Sequence, residues 1–400
     1  MFHRTLRLVL AGCAAALVLG LASPLSAQTS DDLFNDSAIQ TLQLTMHSHD
    51  WETLRVNFTS NDFYPAELTW NGIRARNVGI RSRGLGSRNA VKPGLEVNFA
   101  HYSSRGEFLG LRALVLDNLT TDPSMIRERV AMAFLRRFGV PAPREVHAQL
   151  YVNGEYAGLY VIVEPIDATF VARTLGDNGG ALFEYHWLQP YFATFLGEDL
   201  ELYRPFFEAR TQRERSTFDL YDPIRELLRA INSAPAETFR DVVNTRLDLE
   251  STLRLVAGEA FLAEWDGVLG YAGMNNFYLY RMGSTQQGRL LPWDADHTFQ
   301  AVDYPLLSGA QENVLMRRAL EDPVLRDRYF QLVLEAVDAA SSGDWLAREI
   351  TSEYLQIRDA VFGDTLKPYT NEEFEAAFAE LASFARTRAA FVNQQVQQLK

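Results

Sequence analysis

Cysteine is all but absent. The 400-residue chain has one, Cys13, and it stands within the first 27 residues, MFHRTLRLVLAGCAAALVLGLASPLSA. There Arg4 and Arg7 form a short basic stretch, Leu8 to Ala22 an apolar core, and Leu25-Ser26-Ala27 a small-residue end behind the helix-breaking Pro24. That pattern reads as a signal peptide (1–27) cleaved after Ala27. Its apolar run falls short of the roughly 20 residues a membrane span needs. A second feature, Leu10-Ala11-Gly12-Cys13, resembles a lipoprotein box and would instead leave a lipidated Cys13. Cleavage after Ala27 leaves a mature chain without cysteine, which excludes disulfides, thiol nucleophiles and Cys-ligated metals. The remaining ~370 residues must be held by their core, and they suffice for one domain of two lobes.

Other absences narrow the function. No second apolar run is long enough for a transmembrane anchor in the mature chain. No Gly-x-Ser-x-Gly elbow, Gly-x₄-Gly-Lys-Ser/Thr loop or His-x-x-x-His pair occurs. His101, His147 and His186 stand isolated, and no His/Cys ligand set is seen. Basic residues are outnumbered, 38 against 51 acidic, for a formal charge of −13. Loss of Arg4 and Arg7 with the leader takes the mature chain to −15. That balance disfavours nucleic acid as a partner. There is no internal repeat and no long linker.

What is present falls into two parts. Residues 28–38 are polar and are expected to be a flexible mature N-terminus. Residues 39–166 are strand-rich: Ile39 to Met46 alternate, and hairpins are expected at Asn71-Gly72 and Asn153-Gly154. Asp50 can cap a short helix at Trp51, and "TDPSMIRERVAMAFLRRFGVPAP" predicts a longer one, with Asp122 as N-cap and Pro123 in its first position. After Phe170 helical periods dominate, interrupted by "NNFYLYR" and "GRLLPWDADHTF" as two strands around the loop "MGSTQQG". The fold class expected is α+β.

Three clusters could carry chemistry. "RSRGLGSRNAVKPG" sets Arg81, Arg83, Gly84, Gly86, Arg88 and Lys92 between two strands. Glycines there let backbone N–H groups approach an anion and the cations neutralise it, although a basic surface hairpin would read the same. In "EWDG", Asp266 leaves a helix where the apolar period fails, as a proton acceptor or merely a helix-ending residue. In "MNNFYLYR…LLPWDADHTF", Asn275 and Asn276 precede one strand while Asp294 and Asp296 end its partner. Two carboxylates at i and i+2 with amides nearby suit a hard cation such as Mg²⁺, and capped turns are the bland alternative. A phosphate clamp and a metal site are the two parts phosphoryl transfer needs.

"GIRSRGLGSRNAVKPGLEVNF", "TDPSMIRERVAMAFLRRFGVPAP", "LYVNGEYAGLYVIVEPID" and "PWDADHTF" together resemble the CotH kinase family, from about residue 40 to beyond 320. The resemblance implies an atypical protein-kinase-like fold of two lobes. A strand-rich nucleotide-binding lobe would span 39–166 and a mainly helical catalytic lobe 167–400. It implies ATP with Mg²⁺ or Mn²⁺ as cofactors and a protein substrate, such as a Ser-rich surface or coat protein. It places Arg83, Gly84, Gly86 and Arg88 near the phosphates and pairs Lys92 with them. It makes Glu128 the residue that orients Lys92, and puts Glu164 and Pro165 at the hinge. It gives Asp266 the substrate hydroxyl, Asn275 or Asn276 a part in metal binding, and Asp294 the metal, with Asp296 as neighbour or replacement. The family loop reads Arg-Gly-Asn-Ser, whereas here Arg83-Gly84 is followed by Leu85-Gly86-Ser87. The function this implies is an exported protein kinase. The alternative is an inactive kinase-fold scaffold in the envelope or at the surface.

Overall fold

The computed structural model describes residues 28–400. Residues 1–27, including Cys13, lie outside the described residues, and with them the export and lipidation readings. Seven strands close into a barrel in the order β1-β2-β3-β4-β5-β7-β6. They are β1 Gln40–Met46, β2 Tyr64–Trp70, β3 Ile73–Ser82, β4 Leu95–Asn98, β5 Ala113–Asp117, β6 Glu145–Val152 and β7 Glu155–Val163. β1 and β6 pair in parallel, and every other pair is antiparallel. Both expected Asn-Gly hairpins form. Asn71 and Gly72 take φ of 46° and 79°, and Asn153 and Gly154 take 52° and 85°, as tight turns matched to strand twist require.

The strand period of two sorts side chains between two cores. Leu114 and Leu116 of β5, with Tyr160 and Ile162 of β7, fill the barrel. Val115, Leu159, Val161 and Val163 point outward and join the larger core of the rest of the chain.

Residues 28–38 depart from the flexible segment expected. Residues 30–33 form a short helix, α1 Ser30–Leu33, and Leu33 and Phe34 are buried in the barrel core. Asp31 and Asp36 pair with Arg144 and Arg129. Two apolar side chains and two ion pairs order a segment whose composition reads as loose.

α2 Ser48–Val56 lies on β2 and β3, and α3 Arg127–Arg137 lies outside the barrel. α3 starts later than expected, with Ile126 as N-cap. Asp122 instead accepts the N–H groups of Ser124, Ile126 and Arg127, which fixes a turn ahead of the helix. Phe134 of α3 stacks on Phe261 at 5.2 Å and meets Trp345 at 6.2 Å, so the helix belongs to the second core.

The second part carries a four-stranded sheet ordered β11-β10-β8-β9, made of β8 Ala181–Tyr185, β9 Phe207–Ala209, β10 Phe277–Arg281 and β11 Gly288–Pro292. Around it stand α4 Ala168–Leu175, α5 Thr217–Ser233, α6 Phe239–Asn244 and α7 Leu249–Phe261. α8 Val314–Glu321, α9 Pro323–Ser341, α10 Trp345–Gly363 and α11 Asn371–Leu399 complete the chain. The fold is α+β, strand-rich first and mainly helical afterwards. Among the described residues no helix is long and apolar enough to cross a membrane.

Candidate active site

α7 ends at Phe261, where the chain turns into the left-handed region at Ala263 (φ 54°), and Arg388 of α11 caps its last carbonyls. The buried guanidinium donates to Ala260 O at 2.6 Å and Phe261 O at 2.9 Å, and also to Val302 O and Tyr304 O. A cation at a helix C-terminus satisfies carbonyls that have no partner within the helix. The chain then turns sharply, and two buried acids hold the turn. Glu264 Oε1 accepts the Asp266 N–H at 2.7 Å, and Glu259 Oε2 accepts the Val268 N–H at 3.1 Å. A Cβ on Gly267 would sit 2.8 Å from the Glu259 carboxyl, so only glycine permits this approach. Burial raises the carboxyls of Glu259, to about 8, and of Glu264.

The loop returns on itself through Asn275 N–H to Gly267 O, at 3.0 Å. That return places Asn275 Nδ2 at 3.0 Å and Asn276 Nδ2 at 3.3 Å from Asp266 Oδ2. Both amides therefore donate to one oxygen of Asp266 and leave the other for a further partner. Burial raises the Asp266 carboxyl, against the two amides and His297, which lower it. Asn276 (φ 55°) and Asp294 (φ 52°) both stand in the left-handed region, tied by Trp293 N–H to Asn276 O at 2.9 Å. Asn and Asp tolerate that conformation best among residues with a side chain, and such backbone strain collects at functional sites.

Facing this loop is an acid cluster that the sequence disperses. Asp294 and Asp296 follow β11, Asp117 ends β5, and Glu128 sits in the first turn of α3. Asp294 is exposed, between buried Pro292 and buried Ala295. Enclosure, together with Asp296 and Asp117, pushes its carboxyl up to about 8, against Arg83 and His297. Asp296 is raised to about 6 by burial, with Asp117, Asp122 and Asp266 adding to it, while a bond from Thr121 Oγ1 at 2.8 Å opposes. Glu128 is raised by burial and then by Glu145, Asp294, Asp117 and Asp296. Beneath it, both oxygens of buried Glu145 lack a hydrogen-bond partner among the described residues, and burial raises that carboxyl to about 8. Carboxylates that raise one another in this way form a site that a divalent cation would relieve.

The glycine-rich loop stands beside the cluster. Asn118 Nδ2 holds it by donating to Ser87 O at 2.9 Å and Lys92 O at 2.8 Å. Gly84 takes φ 116°, and a Cβ there would meet Ser87 Oγ at 2.4 Å, whereas Gly86 lies at the exposed tip. Arg83 reaches inward, 5.0 Å over the Trp293 ring, and its charge acts on Asp117 and Asp294. Among the described residues its side chain has no hydrogen-bond or ion-pair partner.

Three expected roles are not what the structure places there. Lys92 does not meet Glu128. It is buried and bonds Asp364 at 2.8 Å, on the turn after α10. Arg88 spends its guanidinium on Gly84 O, Thr59 O, Ser60 O and Asn61 Oδ1, which staples the loop to residues 59–61. Glu164 lies after β7 in chain position, but its carboxylate is held between Arg144 and Arg173. The histidines are not all isolated either. His147 Nε2 bonds Met125 O and its Nδ1 faces Glu353 at 3.2 Å. His186 joins Glu184 and Glu208, the one group of three His, Cys, Asp or Glu ligand atoms within 4.8 Å of one another among the described residues. Arg210 and Arg213 already neutralise its carboxylates. Asp117 is the cluster member that sequence reasoning missed. Its signal was a carboxylate closing the apolar strand "LVLD".

The CotH kinase protein family model matches residues 80–392. Inner spore coat protein H of Bacillus subtilis (strain 168) is 26% identical over 370 residues, spanning 90% of this chain and 98% of its own. The inner spore coat protein H-like protein of the same organism shares 39% identity over 56 residues, 14% of this chain and 18% of its own. Among solved structures, the Helicobacter pylori proinflammatory kinase CtkA superposes with a TM-score of 0.32 at 10% identity, over 76% of this chain and 94% of that one. The Shewanella oneidensis MR-1 HipA–HipB–operator DNA complex matches with a TM-score of 0.35 at 12% identity, over 79% of this chain and 67% of that one.

Proposed function

The chain belongs to the CotH kinase protein family, and on that ground we propose that it is an exported protein kinase. It transfers the γ-phosphate of ATP to a Ser or Thr hydroxyl of a surface or coat protein, with Mg²⁺ or Mn²⁺. One observation carries the reading. Asp117, Glu128, Asp294 and Asp296 lie near enough for their charges to raise one another's carboxyls, opposite the Asp266–Asn275–Asn276 group, with Arg83 acting on Asp294.

These residues fit a divalent cation, since mutual repulsion leaves hard oxygen ligands awaiting positive charge. Asp294 and Asp296, with Asn276 and Asp117 adjoining, would hold it, and such an ion supplies charge neutralisation to a polyphosphate. Arg83 adds a fixed positive charge beside Asp294. Asp266 accepts or orients the acceptor hydroxyl through the oxygen its amide partners leave free. Thr121 keeps Asp296 in place.

A second reading, a scaffold without transfer, is favoured by the commitment of Lys92 to Asp364 and of Arg88 to backbone carbonyls. The discriminating experiment incubates residues 28–400 with γ-labelled ATP and Ser-rich envelope proteins, with and without Mg²⁺ or Mn²⁺. Metal-dependent label that is lost in Asp266→Asn and Asp294→Asn supports transfer. Folded protein that binds no nucleotide under any metal condition supports the scaffold.

A further inference from the structure

A second cavity, of about 370 Å³, opens at the far end of the β10–β11 hairpin from the acid cluster. Asn276 and Asp294 flank the hairpin's inner end, whereas Arg281 and Gly288 stand at its outer end. Five-residue strands separate the two by on the order of 15 Å.

The floor is apolar: Phe183 of β8, Leu279 of β10, and Ile224 and Leu227 of α5. The rim carries four charges, and they are not equivalent. Asp222 and Glu226 are already paired with Arg225 and Arg229. Arg246 and Arg281 also line the cavity, and among the described residues neither has a carboxylate within 4 Å.

Both cations are held in position by the backbone. Pro223 inside α5 has no N–H to give to Asp219 O, four residues back, and Arg281 Nη2 donates to that freed carbonyl at 3.2 Å. Arg246 Nη1 donates to Val242 O at 3.2 Å and Thr245 Oγ1 at 2.9 Å, and its main chain is anchored by Gly288 N–H, which donates to Arg246 O at 2.7 Å. A Cβ on Gly288 would come 2.9 Å from Leu279 Cδ1, so a side chain there would push into the apolar floor. Burial and then the charge of Arg215 lower the pKa of Arg281, with Asp219 opposing them from beyond ion-pair distance.

We propose that this cavity is a ligand site for a small amphipathic carboxylate, its charge set between Arg246 and Arg281 and its apolar body on Phe183, Ile224, Leu227 and Leu279. The volume lies in the range of small-molecule sites, and an apolar wall with a few fixed polar groups is their usual composition. An anion is selected over a neutral body because a ligand filling the cavity would cover two half-buried guanidiniums that have no carboxylate partner within 4 Å.

The test titrates residues 28–400 calorimetrically with octanoate and 3-phenylpropionate, against 1-octanol (no charge) and acetate (no body). Octanoate is expected to bind saturably, at least about tenfold tighter than either control. Arg246→Gln and Arg281→Gln should each weaken octanoate about tenfold and leave octanol unchanged. Arg281→Gln gives up the bond to Asp219 O and its fold is checked by circular dichroism. Arg246→Gln keeps the backbone anchor and carries the test if the first variant unfolds. Asp294→Asn should bind octanoate as the parent does, which separates this site from the acid cluster. Absence of saturable binding up to ~10 mM, octanol binding as tightly as octanoate, or affinity untouched in a folded Arg246→Gln variant would each overturn the proposal.

Discussion

Lys92 is where reading by resemblance and reading by geometry part, and replacing it distinguishes them. In the structure Asp364 Oδ2 accepts from Lys92 Nζ at 2.8 Å and from Leu159 N–H at 2.9 Å, while Oδ1 accepts from Leu366 N–H at 2.9 Å. Both side chains are at most 1% exposed. Breaking a buried pair from one side costs roughly 3–5 kcal/mol, because the partner left behind is charged and dry. Lys92→Met leaves Asp364 its two amide donors, so about 3 kcal/mol is expected. Asp364→Ala strands an ammonium and two amides, so it should cost more, about 5 kcal/mol. At roughly 2.1 cal/mol/K per residue over ~370 residues, these become losses of about 4 °C and 6 °C in Tm. The double variant should recover part of the sum, a coupling of order 2 kcal/mol. Differential scanning calorimetry checks the stabilities, and nucleotide titration well below the melt checks the site. Lys92→Met should still bind nucleotide there. A variant that keeps its Tm within about 1 °C yet loses nucleotide binding would refute the reasoning and return Lys92 to the phosphates.

Three further outcomes follow from the cleft. The carboxyls of Asp296 and Asp294 are raised in the folded chain, to about 6 and about 8, above the value near 4 of an unfolded aspartate. Their contribution is therefore full below about pH 4 and is lost as pH rises through 6 to 8. Without metal, Asp294→Asn should gain on the parent in Tm from pH 5 to pH 8, and Mg²⁺ should stabilise the parent more at pH 8 than at pH 6. A gap between the two proteins that does not change with pH contradicts this, and solvent access at Asp294 makes the direction the quantity to read. Asp266→Asn should lower kcat by about 10²–10⁴ while nucleotide affinity stays within about threefold, measured by single-turnover transfer and by titration. Arg83→Gln should weaken nucleotide binding about tenfold at unchanged Tm, and Arg88→Gln should lower Tm through loss of its bonds to residues 59–61. Equal behaviour of the two arginine variants would remove the distinction drawn between them.

The elements legible from sequence are those set by local chemistry. Asn-Gly turns need left-handed backbone at both positions, so Asn71-Gly72 and Asn153-Gly154 announce their hairpins without help from the rest of the chain. The start of α3 was less legible, because Asp122 can cap either a helix or the turn before one, and packing of Ile126 decides between them. The flexible reading of 28–38 failed because composition counts polar residues, whereas order came from two apolar ones, Leu33 and Phe34, inserted in the barrel.

Partners far apart in the chain were invisible for a different reason. Lys92 and Asp364 are separated by 272 positions, and no local pattern marks either as the other's counter-ion. The same separation hid the acid cluster. The pair Asp294 and Asp296 stands out in sequence by its spacing, but Asp117 and Glu128 look like a strand end and a helix first turn, where carboxylates are ordinary. Only closure of the barrel against the second core brings β5 and α3 to the end of β11. Once there, their repulsion is a cost that the fold must carry, since a hydrophobic replacement at Asp117 or Glu128 would relieve it. An arrangement that keeps such repulsion in a solvent-open cleft, with Arg83 as the guanidinium beside it, is better accounted for by a cation that arrives than by stability of the empty chain.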